Sequence, residues 1–340
     1  MKRILVTGGA GFIGSNFIRH VLKSRRGVTV LNLDLLTYAG NLENTADAAA
    51  KFGKRYSFVK ADVADCNAVE RIFRKFRPDA VANFAAETHV DRSIMDCAEF
   101  IRTNVIGTHT LLEAVRTRPG IRFMQISTDE VYGSLGPKGA FRETDPLCPR
   151  NPYSASKAAA DLLVLSYVNT HKIDALITRS SNNYGSFQFP EKFIPVIIMN
   201  TLAGRSIPVY GDGLQVRDWL HVEDNCAGIL AALEKGKTGG VYNIGGGNEI
   251  ANVNLVKMIL EILGRSEELI KFVPDRPGHD RRYALDISRA KKELGWKPAI
   301  PFKSGLAGTV AWYVSNRKWL DGVLTGEYMK YYRRNYTRRK

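Results

Sequence analysis

The start of the chain constrains the fold more than any other stretch. Arg3-Ile4-Leu5-Val6 is a short apolar run with strand character, and it ends at once in Thr7-Gly8-Gly9-Ala10-Gly11-Phe12-Ile13-Gly14, after which a helical pattern runs from Phe12 to about Lys23. A glycine-rich turn between a strand and a helix lets backbone approach a pyrophosphate closely, and the free N–H groups of the helix start then face the negative charge. Gly8, Gly11 and Gly14 stand where that turn requires them. The apolar run is too short for a secretory signal.

The pattern repeats. Apolar runs at Val28–Leu33, Ser57–Val59, Ala80–Phe84, Phe123–Ile126 and Ala175–Ile177 alternate with helical stretches at Val69–Phe76, Ala98–Val115 and Ala155–Val168. Continuously apolar strands joined by helices predict a parallel sheet covered on both faces. The expected fold is therefore α/β, a Rossmann-type doubly wound parallel sheet. Past Ser181 prolines interrupt the rhythm, and the helices become shorter and unevenly spaced. This predicts a smaller, interleaved C-terminal α/β domain. The expected division places residues 1–180 in the dinucleotide-binding domain, with a return of the chain at about 220–245. Residues 181–219 and 246–325 form the substrate domain, and 326–340 a basic tail.

Composition excludes several classes. The chain has 340 residues, 44% of them hydrophobic. No apolar run approaches the roughly 18 residues of a membrane span. Cys66, Cys97, Cys148 and Cys226 have neither metal-ligand nor redox-pair spacing, so no metal site or disulfide scaffold is expected. Incidental thiols fit a cytoplasmic protein. The net charge of +15 favours anionic partners. Part of the excess lies in Arg333, Arg334, Arg338, Arg339 and Lys340, interleaved with Tyr332 and Tyr336. Such a segment can bind RNA, but a solvated terminus is the simpler reading and nucleic acid is not the expected partner.

Asp34 ends the second strand, about 20 residues past the glycines, where an acid accepts hydrogen bonds from a ribose 2′-hydroxyl. A 2′-phosphate would meet like charge there, and Leu35 and Leu36 bring no arginine, so the cofactor is expected to be NAD. Asp62-Val63 is placed to meet the adenine or to cap the next helix. Tyr153 and Lys157 are four residues apart and share one helix face. A nearby ammonium and a positive nicotinamide favour the phenolate, so Tyr153 can take a hydroxyl proton as hydride leaves the same carbon. Ser127-Thr128 ends the fifth strand, at the sheet edge where ligands bind. Asp129 and Glu130 follow directly, either as a solvated acidic turn or as a proton donor and acceptor with separated pKa values.

With the glycine loop and the Tyr153–Lys157 pair, the chain resembles the extended short-chain dehydrogenases/reductases, most of which act on nucleotide sugars. The segments STDEVYG (Ser127–Gly133), SNNYG (Ser181–Gly185), QFPEKFIP (Gln188–Pro195), VRDWLHVED (Val216–Asp224) and DRPGHDRRYALD (Asp275–Asp286) narrow the resemblance to the dTDP-glucose 4,6-dehydratase family. It covers nearly the whole chain. Ser180 stands where that family often has cysteine.

This resemblance implies a lyase that converts dTDP-glucose to dTDP-4-keto-6-deoxyglucose in deoxysugar biosynthesis. Tyr153 and Lys157 would serve C4 oxidation, with Thr128 hydrogen-bonded to the sugar. Glu130 would take the C5 proton, Asp129 would protonate the departing C6 hydroxyl, and tightly held NAD would return its hydride to C6. It implies that Phe12, Ile13, Asp34, Leu35, Leu36, Thr37, Asp62, Val63, Phe84, Ala85, Ala86, Thr88, Thr103, Tyr153, Lys157 and Asn183 hold the cofactor. It further implies that Thr88, Thr128, Asn182, Lys192, Phe193, Pro208, Val209, Tyr210, Arg217, Asn252, Asp275, Arg276, His279 and Tyr283 hold the sugar nucleotide. For Arg217 a salt bridge to Asp218 is an alternative role, and for His279 a structural hydrogen bond. A homodimer through a four-helix bundle is also implied. The alternatives are another NAD-dependent nucleotide-sugar dehydratase, a decarboxylase, an epimerase, or a non-catalytic NAD- or RNA-binding protein.

Overall fold

The computed structural model describes residues 1–275 and 279–324. Arg276 and the basic tail expected at 326–340 lie outside the described residues. Six strands alternate with helices through the first half: β1 (Arg3–Thr7), β2 (Thr29–Asp34), β3 (Tyr56–Lys60), β4 (Ala80–Asn83), β5 (Arg122–Thr128) and β6 (Ala175–Ser180). After these come β7 (Asn182–Tyr184), β8 (Ile207–Tyr210), β9 (Val216–His221), β10 (Val241–Ile244), β11 (Glu249–Ala251) and β12 (Ile270–Val273).

The main sheet has seven strands in the order β10-β6-β5-β4-β1-β2-β3, all parallel. The order reverses direction at β1, which is the doubly wound pattern and opens a crevice at the carboxyl ends of β1 and β4. Alternation along β1 builds both faces. Ile4 and Val6 point to one side, where the helices Phe12–Ser24 and Val222–Lys235 supply Phe17, Ile18, Val21 and Ile229. Leu5 points to the other, where Cys66–Phe76, Gly107–Arg116 and Pro152–His171 supply Phe73, Leu111, Leu112 and Val164. Two-sided burial explains why these strands read as unbroken apolar runs.

The stretch expected as one helix from Ala98 to Val115 is helical throughout but not uniform. A π-helical segment, Ile101–Ile106, separates Ala98–Phe100 from Gly107–Arg116. Beyond β6 the chain builds two small sheets, β11-β9-β7 and β12-β8. The helices Phe193–Leu202, Asn252–Ile262 and Phe302–Ser315 gather around a third core with Ile197, Trp219, Ile259 and Leu306. Between these pieces β10 returns to the main sheet and pairs with β6, Ile244 beside Ser180. Among the described residues no helix is long and apolar enough to cross a membrane.

Candidate active site

A cleft of about 300 Å³ runs along the carboxyl edge of the main sheet, from the glycine turn to the loops after β5 and β6. The turn depends on its glycines. Gly8 has φ of +65°, and a Cβ added there would lie 2.6 Å from the Ala85 nitrogen. A Cβ on Gly14 would lie 2.4 Å from the Gly8 carbonyl oxygen. Both positions need the missing side chain for close packing of strand, turn and helix. Asp34 receives the Ala10 N–H at 2.9 Å and the Leu36 N–H at 2.8 Å. Its carboxylate thus closes the glycine turn while lining the cleft, and burial raises its pKa.

The catalytic candidates converge. Thr128, Asp129, Glu130, Tyr153 and Lys157 all line this cleft, with the glycine turn on one side and Asn182 and Lys192 on the other. Asn151 and Ser154 form a capping box at the start of Pro152–His171, which fixes Tyr153 in the first turn and Lys157 one turn on. Asp129 is 2% exposed. Burial, then the Glu130 and Asp218 carboxylates, push it well above the usual carboxylate range, with Arg217 and Thr128 pulling the other way. One of its oxygens, Oδ2, is buried with no hydrogen-bond partner, and Thr128 donates to Oδ1 at 3.2 Å. Glu130 is held more loosely, by the Asn151 amide at 3.4 Å.

Tyr153 and Lys157 are both buried, and their surroundings push them in opposite directions. Burial, then Glu130, push the Tyr153 phenol up, and the Thr128 hydroxyl opposes them. The ammonium instead donates to the Ile126 carbonyl at 2.6 Å, and burial lowers it to about 8 although Asp161 pulls it back up.

Of the residues expected to hold cofactor, Gly8, Gly11, Phe12, Ile13, Gly14, Asp34, Leu35, Thr37, Asp62, Val63, Phe84, Ala85, Ala86, Thr88, Thr103, Tyr153, Lys157 and Asn183 line the cleft. Leu36 does not: it takes φ of +58°, and its N–H is spent on Asp34. Asp62 accepts the Ala64 N–H at 2.8 Å and pairs with Arg102 at 2.6 Å, while the cap of the next helix is Asp65.

Of the substrate set, Thr88, Thr128, Asn182 and Lys192 line the cleft. The other described members are not among its lining residues. Val209 is fully buried in the third core; Pro208 and Tyr210 flank it on β8. Phe193 opens the helix after Lys192, and Asn252 opens another with a buried, unpartnered Oδ1. Arg217 donates to the Val216 and Asp280 carbonyls and lies 4.6 Å over the Tyr283 ring, while Asp218 accepts the N–H groups of Gly246 and Asn248. Tyr283 donates to the Asp280 carboxylate, and Glu130 acts on its pKa, which places this group beside the acid turn. His279 bonds Asp275 at 2.6 Å and its ring meets that of Tyr210.

The cleft also contains acids that the sequence reading did not name. Glu191 is 6% exposed, is raised in pKa by burial, and accepts from Tyr38 at 2.9 Å. Glu87 follows β4 at the same edge and is also raised by burial. The signal for Glu191 was an acid inside the apolar run Phe189 to Ile194; for Glu87 it was position directly after a strand. The wall further presents buried Asn182 Oδ1, Asn183 Oδ1 and Gln188 Oε1 without partners. Unpaired buried polar atoms gathered on one wall mark a place where a polar ligand completes the hydrogen bonding. Among the described residues no cluster of histidine, cysteine and acids could hold a metal ion.

Known proteins agree with this picture. Residues 5–309 match the model of the GDP-mannose 4,6 dehydratase family. The chain is 51% identical to a dTDP-glucose 4,6-dehydratase of Xanthomonas campestris pv. campestris, over 96% of this chain and 97% of that one. It is 46% identical to the crystallised dTDP-glucose 4,6-dehydratase of Streptomyces venezuelae, solved with NAD bound, with a TM-score of 0.91 over 94% of this chain and 99% of that one. The Bacillus anthracis enzyme of the same name, in complex with NAD, gives 46% identity and a TM-score of 0.89 over 95% and 100%. From the glycine turn to the third core, this chain belongs to the dTDP-glucose 4,6-dehydratase family.

Proposed function

We propose that the chain eliminates water from dTDP-glucose to give dTDP-4-keto-6-deoxyglucose, as an NAD-dependent hydro-lyase. The observation that carries this is Asp129, buried and raised in pKa by that burial and by the neighbouring Glu130, in the same cleft as Tyr153 and Lys157. An epimerase needs only the tyrosine and lysine; a dehydratase needs an acid and a base besides.

The glycine turn and Asp34 fit a dinucleotide, and the residues that line their end of the cleft would hold NAD. NAD held there would supply a hydride acceptor for C4 and a hydride donor for C6, where a proton also adds at C5, and so would be regenerated in each turnover. Tyr153 takes the C4 hydroxyl proton, with the Thr128 hydroxyl orienting the same oxygen. Lys157 keeps two N–H donors beyond its bond to Ile126 for the nicotinamide ribose. The new ketone acidifies the C5 proton, which Glu130 removes. Asp129 gives its proton to the departing C6 oxygen. Lys192, which also donates to the Thr88 carbonyl at 2.8 Å, and Arg217 supply positive charge for the diphosphate. The test is incubation with dTDP-glucose: a 4-keto product with its alkali-induced ultraviolet band supports the reading, and its absence from freshly purified, NAD-loaded protein rejects it.

We further infer a cytoplasmic homodimer. Exposed Ile101, Ile106 and Leu162 lie on the helical stretches near Ala98–Val115 and Tyr153–His171, which are expected to pair into a four-helix bundle, and exposed Ile94 and Met95 end the short helix before them. Three exposed free cysteines suit a reducing compartment. Sedimentation of the protein at the mass of a single chain would reject the dimer.

A further inference from the structure

The tyrosine and lysine ride on the Pro152–His171 helix, the acid pair on the Asp129–Tyr132 turn after β5. Under the activity proposed above, on which this inference rests, both must face one hexose, and small errors in their relative placement slow the chemistry steeply. A buried polar chain behind the cleft joins the two elements. Asp161 lies one helical turn past Lys157 on the same face and is fully buried. Arg179, on β6, donates from Nε to the Asp161 carboxylate at 2.9 Å and from Nη1 to the Tyr132 hydroxyl at 2.9 Å. Tyr132 closes the acid turn, and its hydroxyl donates onward to Asn243 Oδ1 on β10 at 2.8 Å. The guanidinium also lies 4.8 Å from the centre of the Tyr132 ring, which stacks on Phe141.

None of these three side chains lines the cleft. Their cost is real: two buried charges are desolvated, where an apolar pair of similar shape would avoid the penalty. What a guanidinium offers in return is a rigid planar fork that fixes the angle between two partners.

We propose that Arg179 is a positioning residue for the reaction, clamped between Asp161 and Tyr132 so that the acid turn keeps its register against the tyrosine–lysine face. The two ends of the clamp act on different steps. The Tyr132 end belongs to the acid turn. The Asp161 end sits behind Lys157, whose charge it supports.

The test is Tyr132→Phe, which keeps the ring, its stacking and the Asp161–Arg179 pair. NAD-loaded protein is mixed with dTDP-glucose in a single turnover. The near-ultraviolet band of reduced nicotinamide and the masses of the keto sugars are followed, and the melting temperature is measured alongside. C4 oxidation should stay near the native rate while elimination slows roughly tenfold to a hundredfold, so that a keto-hexose still carrying its C6 oxygen builds up. Asp161→Asn should invert the pattern, slowing oxidation and shifting its alkaline limb. Equal losses in both steps for Tyr132→Phe, or no loss in either, overturns the proposal; should Asp161→Asn not fold, the partition in Tyr132→Phe decides alone. The native protein in the same experiment separates the two readings. A native chain that never oxidises dTDP-glucose rejects the activity, whereas native turnover with an unpartitioned Tyr132→Phe rejects only the clamp.

Discussion

The wall of the cleft and the outer arm beyond it meet a ligand in opposite states. On the wall, Asp129, Asn182, Asn183 and Gln188 carry buried polar atoms with no partner. On the outer arm, Asn252 Oδ1 aside, the named polar groups already hold partners: Arg217 the Val216 and Asp280 carbonyls, Tyr283 Asp280, His279 Asp275. A wall of unpaired atoms is completed by a ligand and acts on it strongly, whereas a self-satisfied arm exchanges existing bonds for new ones and gains only the difference. Under the proposed activity, the contrast assigns the chemistry to the wall and the tightness of nucleotide binding to the arm.

The largest effect that could break this contrast is on the wall. Tyr153→Phe should lower C4 oxidation by roughly 10²–10⁴-fold, read as loss of cofactor reduction in a single turnover. Glu130→Gln should leave that oxidation near native and slow elimination by a similar roughly 10²–10⁴-fold, read as accumulated keto-hexose. A Glu130→Gln protein that still eliminates water would move the base elsewhere on the wall.

Proton dependence sharpens the same point. Lys157, lowered to about 8 by burial, is charged below that value and neutral above it. Asp129, raised by burial, must keep its proton to serve as the acid. Raising pH removes both protons, so the rate should fall on the alkaline side from about pH 8. Stability carries the same sign. Asp129 holds its proton more tightly folded than unfolded, so its contribution is fully present below the free carboxylate pKa and is lost as pH rises through the raised value. Asp129→Asn should abolish elimination and flatten that loss in denaturant melts. A smaller effect is expected at the turn: Gly14→Ala forces a Cβ against the Gly8 carbonyl and should lower stability by about 1–3 kcal/mol, together with NAD retained through purification. The smallest belongs to the arm. His279→Ala should raise KM by a few fold, on the order of 1 kcal/mol for one lost hydrogen bond, with kcat nearly unchanged; a collapse of kcat would erase the distinction between arm and wall.

What could be read from the chain follows locality. The glycine turn, Asp34 and the Tyr153–Lys157 spacing are contiguous or one helical turn apart, so their placement is set by local rules. The strands β1 to β6 were legible because burial on both faces leaves them uniformly apolar. The direction taken by the Lys157 ammonium was not, because it depends on the Ile126 carbonyl on another strand. That Val209 takes the inward position on β8 was not legible either, because it depends on the third core that later helices build. Glu191 escaped notice because its partner Tyr38 lies far away in sequence. The pairing of β8 with β12 and of β9 with β7 and β11 is likewise a product of long-range contacts that no short window encodes.

The late return of β10 has a consequence for how the molecule is made. Every group assigned to the redox and elimination steps has been synthesised once Lys157 is added, but β6 gains its outer neighbour only when Ile244 leaves the ribosome. Until then that border is a bare row of amides and carbonyls, the kind of template that recruits foreign strands. A fragment ending before Val241 would therefore hold the whole catalytic set and leave β6 as an unpaired border strand.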